Sequence, residues 1–225
     1  MLELSKRLSI IAGLIKEGSS VCDVGTDHGY LPAFLYLSGK AKKVIATDIN
    51  EKPLLSARKN LDRLGANGVK LFLCDGLADV EDQNVDTVVI AGMGGEVISG
   101  IINRARFLRD SAVTLILQPT TAAKELRLFL AKNGFTVESE TALAENNKIY
   151  SIMCARFDGD TYSIDDVRSV IGLLKPDNDA AIAYIQKQYK IAQKCAEQLK
   201  SANNQKEEYS YYLKLSDKLK EILGG

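Results

Sequence analysis

Val21-Cys22-Asp23-Val24-Gly25-Thr26-Asp27-His28-Gly29-Tyr30 is the stretch whose reading decides the fold. It begins as an apolar run, turns at Gly25, reaches Gly29, and leads into an expected helix over 31–38. A strand that ends in a glycine-bearing loop and opens a helix is a nucleotide-binding turn. Glycine permits positive φ and close backbone approach, and the helix start presents unpaired N–H groups. The dinucleotide fingerprint G-x-G-x-x-G needs glycines where this chain has Asp27 and Tyr30. S-adenosylmethionine (SAM) sites instead carry an acid followed by alternating glycines. That frame reads Asp23, Gly25, Asp27, Gly29, with aspartate in place of the middle glycine. An added carboxylate attracts a sulfonium and repels a pyrophosphate. An ordinary strand-to-helix turn with polar caps is the plainer alternative for this stretch taken alone.

Working outward, the same rim gathers further acids. The run 43–48 reads as a second strand ending at Asp48, about twenty residues after Gly29, where Rossmann-like sites bind ribose hydroxyls. Asn50 opens the next helix, which Gly65 stops. A third strand over 69–74 precedes Asp75-Gly76, an acid placed to accept from an adenine amino group, or simply a turn pair. The apolar run 85–91 fits a buried parallel strand and leads into Gly92-Met93-Gly94-Gly95, then a helix over 96–105. A fifth strand ends at Gln118-Pro119, and a helix follows over 121–133. Runs 135–144 and 149–157, joined by Glu145-Asn146-Asn147, read as a hairpin. This is the order of a doubly wound α/β sheet with ligand sites at the strand C-termini. Before it, apolar spacing over 4–16 predicts a helix bearing Arg7, either solvated or reaching over the pocket.

Composition narrows the function. With 225 residues, 46% of them hydrophobic, the chain suffices for one α/β domain and an appendage. Formal net charge is zero, so any nucleic-acid contact depends on local clusters of Lys and Arg. The four cysteines are scattered and His28 is the sole histidine, which argues against zinc or any other metal and for a reduced cytoplasmic protein. Neither a signal peptide nor a membrane span is expected.

Composition shifts near Asp158-Gly159-Asp160, which divides the chain into expected domains 1–158 and 159–225. Ala181, Ile185, Gln188, Ala192, Cys195 and Leu199 alternate four and three apart, and Tyr212, Leu215, Leu219 and Ile222 resume the pattern after Asn203-Asn204. The second domain therefore reads as an antiparallel helical hairpin with a coiled-coil seam. Lys187, Lys190, Lys194, Lys200 and Lys206 lie on or beside its polar face, either tracking phosphates or simply solvated.

Taken together, these segments resemble the TrmK family of bacterial tRNA adenine-N1 methyltransferases. The resemblance rests on Leu4-Ser5-Lys6-Arg7-Leu8, Asp23 to Gly29 with Leu31-Pro32, Ala46-Thr47-Asp48, Asp75-Gly76-Leu77, Ala91-Gly92-Met93-Gly94-Gly95, Gln118-Pro119, the Tyr150 region and the tail. It implies a seven-stranded class I Rossmann-like methyltransferase domain that binds SAM, with a coiled-coil domain that assists tRNA binding. The implied target is the adenine at position twenty-two. The expected cofactor-binding residues are Arg7, Asp23, Gly25, Asp27, His28, Gly29, Asp48, Ile49, Asn50, Asp75, Gly76, Ala91 and Gly92. Asp27, Gly92, Met93, Gly94 and Gln118 are expected at the reacting centre, Asp27 to favour the positive charge arriving on the methylated base or only to hold cofactor, Gln118 with the glycine loop to hold the base edge. Two other functions fit parts of the chain: a small-molecule methyltransferase, and a non-catalytic SAM-binding protein that docks a protein partner through its hairpin.

Overall fold

The computed structural model describes residues 2–200 and 205–224; the Asn203-Asn204 interruption lies outside them. Seven strands form one sheet in the order β3-β2-β1-β4-β5-β7-β6. The strands are β1 (Ser19–Val24), β2 (Ala41–Asp48), β3 (Lys70–Leu73), β4 (Thr87–Gly94), β5 (Thr114–Thr121), β6 (Phe135–Glu145) and β7 (Lys148–Phe157). The first five pair in parallel, while β7 runs antiparallel to both β5 and β6. Strand order reverses between β1 and β4, so a crevice opens at their C-terminal ends.

Helices α1 (Lys6–Leu14), α2 (Tyr30–Leu37), α3 (Glu51–Leu64), α4 (Gly95–Arg104) and α5 (Ala123–Lys132) cover the sheet. Val88, Ile90 and Leu115 pack with Ile98 and Leu126 on one face, and Val21, Ala46 and Val89 with Leu31 and Leu61 on the other. Burial on both faces explains why the central strands read as unbroken apolar runs. The expected hairpin forms with a two-residue turn. Asn146 and Asn147 take φ of 50° and 59°, the left-handed pair of a tight hairpin turn that asparagine tolerates.

The tail holds one helix the periodicity did not announce. Six-residue α6 (Asp166–Ile171), capped by the Asp165 side chain, precedes the long pair α7 (Asp179–Leu199) and α8 (Lys206–Ile222). Ile171, Ile185, Ala192, Leu215 and Leu219 form the core of these three helices, on the heptad positions read from the sequence. A further cluster joins Ala142 of β6 to Leu174, Ala181 and Tyr184, so the tail is fastened to the sheet by apolar packing.

At that junction Arg127 of α5 is buried against Glu140 of β6. Its Nη1 donates to the carbonyls of Ser169 and Val170, each at 3.0 Å, and its Nη2 to Ser151 Oγ and Tyr184 Oη, each at 3.2 Å. Burial works against the guanidinium charge, but Glu140 and Tyr184 reverse that effect and hold its pKa above the ordinary value. One side chain thus gathers α5, both hairpin strands, α6 and α7.

Candidate active site

A cavity of about 450 Å³ opens at the C-terminal ends of β1, β2 and β4, within the range of roughly 300–1,000 Å³ for small-ligand sites. Gly25 and Asp27 from the first loop line it, with Asp48, Ile49 and Asn50 from the second and Asp75 and Gly76 from the third. Ala91, Gly92 and Met93 close it from β4, and Arg7 reaches in from α1. Thr47, Val97 and Ile101 also face the cavity, although no motif singled them out.

The loop geometry explains the departure from alternating glycines. Gly25 has φ of 72° and Gly29 70°, and Asp27 between them takes the same left-handed conformation at 53°. Aspartate tolerates that region better than most residues, so the loop keeps its path and gains a carboxylate. The Asp27 side chain is 70% exposed, with one oxygen 3.6 Å from His28 Nε2. At Gly25 any Cβ would meet the Met93 methyl at 2.1 Å. The glycine therefore makes room for Met93 over the loop.

Asp48 is organised by backbone donors. Its Oδ1 accepts from the Asn50 N–H at 2.9 Å and its Oδ2 from the Asp27 N–H at 3.4 Å. That pairing fixes the second loop relative to the first. Asp75 is exposed and bonded to Arg104 Nη2 at 3.0 Å through one oxygen, which leaves the other for a ligand. Asp23 lies buried beneath the cavity. Desolvation pushes its pKa up to about 6; Thr26 and Arg7 oppose that rise and Asp48 adds to it.

Three expected residues stand elsewhere. His28 is exposed, with Nδ1 2.9 Å from Ser56 Oγ, and does not line the cavity. Gly29 caps α2 and packs against Ala57. Gln118 is fully buried, and its amide is already engaged. Its Oε1 accepts from Arg7 Nη1 at 3.0 Å and from the Gly92 N–H at 3.1 Å, and its Nε2 donates to the Pro119 carbonyl at 3.0 Å. It braces Arg7 and Gly92 from below and has no free group for a base edge. The glycine run also differs from the loop expected there. It continues β4 through Gly94, with register shifts either side of Met93 that twist the strand end toward the cavity.

Sequence reasoning missed Glu145. It accepts the Arg7 N–H at 2.9 Å across 138 residues and lies 3.8 Å from the Arg7 guanidinium, tying α1 to the hairpin tip. No local pattern announces such a partner.

A carboxylate pair at the ends of β1 and β2, a glycine-backed cleft and this strand order define a Rossmann-like methyltransferase. The methyltransferase-domain family model matches residues 4–153. The tRNA (adenine(22)-N(1))-methyltransferase of Bacillus subtilis is 33% identical over 174 residues, 77% of this chain and 73% of its own length. The crystal structure of the B. subtilis m1A22 tRNA methyltransferase TrmK superposes with a TM-score of 0.86 at 29% identity, over 99% of this chain and 100% of that one. A putative tRNA (m1A22) methyltransferase of Streptococcus pneumoniae, in complex with S-adenosyl-L-methionine, superposes at 0.81 with 31% identity over 98% and 100%. This chain belongs to the TrmK family of methyltransferases.

Among the described residues no group of three or more His, Cys, Asp or Glu could hold a metal ion, and no helix is long and apolar enough to cross a membrane.

Proposed function

We propose that this chain methylates N1 of adenine 22 in tRNA with SAM as methyl donor, in the cytoplasm. The observation that carries the reading is the likeness to TrmK structures along the whole chain, tail included. A small-molecule methyltransferase has no evident use for the helical tail, and a mere scaffold has none for the organised acids around the cleft.

The residues fit the cofactor. Asp48, held by two backbone N–H groups, is placed for a ribose diol. Gly92 and Gly25 let the backbone close on the ligand. Arg7 suits a carboxylate, since only one of its guanidinium nitrogens is bonded to Gln118. Bound SAM supplies an electrophilic methyl on a sulfonium. Adenine N1 is largely unprotonated at neutral pH and needs no general base, so the protein's contribution is alignment. Asp27, at the exposed mouth of the cavity, is our candidate for the carboxylate that faces the charge passing to the base. The N1 edge is engaged in folded RNA, so the adenine must leave its stack to reach Met93 and Gly94.

The test is methyl transfer from labelled SAM to unmodified tRNA, followed by digestion to nucleosides. Label in 1-methyladenosine is expected. A folded, SAM-binding protein that labels no tRNA would overturn the reading.

A further inference from the structure

A second cavity, about 230 Å³, lies between the turn from β5 into α5 and the long tail helix α7. Tyr150 and Ile191 give it apolar walls, Lys124 and Lys187 give it charge from opposite sides, and Gln188 adds an amide. Ile191 is 46% exposed and sits among exposed lysines, where a solvated helix face needs no isoleucine. Burial works against the charge on Lys124, but its 3.1 Å hydrogen bond to Tyr211 outweighs that effect and keeps it cationic. A cleft with an aromatic ring, an aliphatic wall and two cations matches a nucleotide, whose flat base stacks and whose phosphate is anionic.

The cleft adjoins the proposed reacting centre. Thr121 lines it and is the register partner of Gly94, while Gly92 and Met93 line the cofactor cavity. One strand spacing, about 4.8 Å, separates such partners. Two stacked nucleotides span about 6.8 Å at 3.4 Å each. A strand with its adenine over Met93 therefore brings a neighbouring nucleotide to the groove.

We propose that this groove holds a nucleotide flanking the methylated adenine, its base against Tyr150 and Ile191 and its phosphate between Lys124 and Lys187. The proposal rests on the tRNA methyltransferase reading and deepens it. It gives the tail a particular task, in which Lys187 touches RNA beside the site while Lys194, on the same helix, lies outside the groove. Residues that grip flanking nucleotides are a general route to sequence context in enzymes that act on extruded bases.

Full-length Lys187→Glu, Ile191→Ala and, as control, Lys194→Glu are compared with the parent protein for SAM affinity, tRNA affinity across a salt series, and kcat and KM of methyl transfer. All three changes fall at exposed positions. Lys187→Glu is expected to weaken tRNA binding about tenfold and to make the salt slope shallower by about 1. Ile191→Ala is expected to cost about fivefold in tRNA affinity through lost stacking area. SAM affinity stays at the parent value in all three, and Lys194→Glu keeps parental tRNA affinity. Equal losses at Lys187 and Lys194 overturn the groove in favour of overall charge. Parental tRNA affinity in both groove variants also overturns it, and leaves a protein segment as the occupant. In either case methyl transfer by the parent protein upholds the enzyme reading. A parent protein that neither binds nor methylates tRNA overturns both.

Discussion

Arg7 and Gln118, 111 residues apart in the chain, meet at 3.0 Å, Nη1 of the arginine donating to Oε1 of the glutamine. The same oxygen accepts the Gly92 N–H. A buried amide with every group engaged thus links the first helix, the end of β4 and the end of β5 beneath the cofactor cavity.

Gln118→Leu keeps the volume roughly and removes that acceptor. It leaves the Gly92 N–H and one Arg7 donor without partners, at a cost of about 1–3 kcal/mol in stability. SAM affinity should fall as well, because Arg7 and Gly92 both line the cavity. Denaturant unfolding and SAM calorimetry check this. A variant with parental values in both would mean the brace is idle.

Asp48→Ala removes the acceptor shared by the first two loops, and with it the expected ribose contact. SAM affinity should drop at least tenfold, the scale of a lost charge-assisted hydrogen bond at about 1.5–3 kcal/mol. The fold should persist, since the side chain lies at the sheet's rim and the strand pairing of β2 is made by backbone. Circular dichroism together with SAM titration separates the two effects, and unchanged affinity would remove Asp48 from the cofactor site.

The fold was largely legible because its signals are local. Alternating strand and helix periods, Gly65 after α3 and the asparagine turn of the hairpin all act over a few residues. The acids at strand ends were legible for the same reason: Asp23, Asp48 and Asp75 each follow an apolar run. What stayed hidden depends on distant partners. Glu145 meets Arg7 only after the hairpin folds back. Gln118 looked available for a base until Arg7 and Gly92 occupied it. Helix α6 is too short for periodicity to declare, and its role is to offer the carbonyls of Ser169 and Val170 to Arg127.

Asp23 predicts a pH dependence. Its carboxyl is 7% exposed and its pKa stands at about 6 in the fold, against an ordinary 3.8. Between those values the folded state holds a proton the unfolded state has lost, so stability falls as pH rises from about 4 through 6. Above that window the ionised group costs about 3 kcal/mol. Asp23→Asn should therefore raise the melting temperature at pH 7.5 and bring little gain at pH 4. If the carboxylate serves SAM, the same change weakens cofactor binding, a trade of stability for function. Melting curves at both pH values decide it, and a gain of equal size at pH 4 and 7.5 would refute the ionisation argument.

The sequence suggests that a chain cut after Asp158 keeps its SAM site and loses only RNA contacts. Arg127 argues for a heavier consequence. The cut removes the carbonyls of Ser169 and Val170 and the hydroxyl of Tyr184, leaving the buried Arg127–Glu140 pair stripped of three of its hydrogen bonds. It also uncovers Ala142, which packs on Leu174, Ala181 and Tyr184. Breaking the support of a buried ion pair typically costs about 3–5 kcal/mol. We propose that the two regions are one stability unit despite their separate helical core, so the truncated chain should unfold at clearly lower denaturant. In the full chain, Arg127→Met alone should cost about 3–5 kcal/mol, because it strands Glu140, while Arg127→Met with Glu140→Leu should recover most of that loss. Denaturant midpoints of the four proteins test the point. A truncated chain as stable as the parent, or a double variant no better than the single, would show that the junction is incidental to the fold of the catalytic domain.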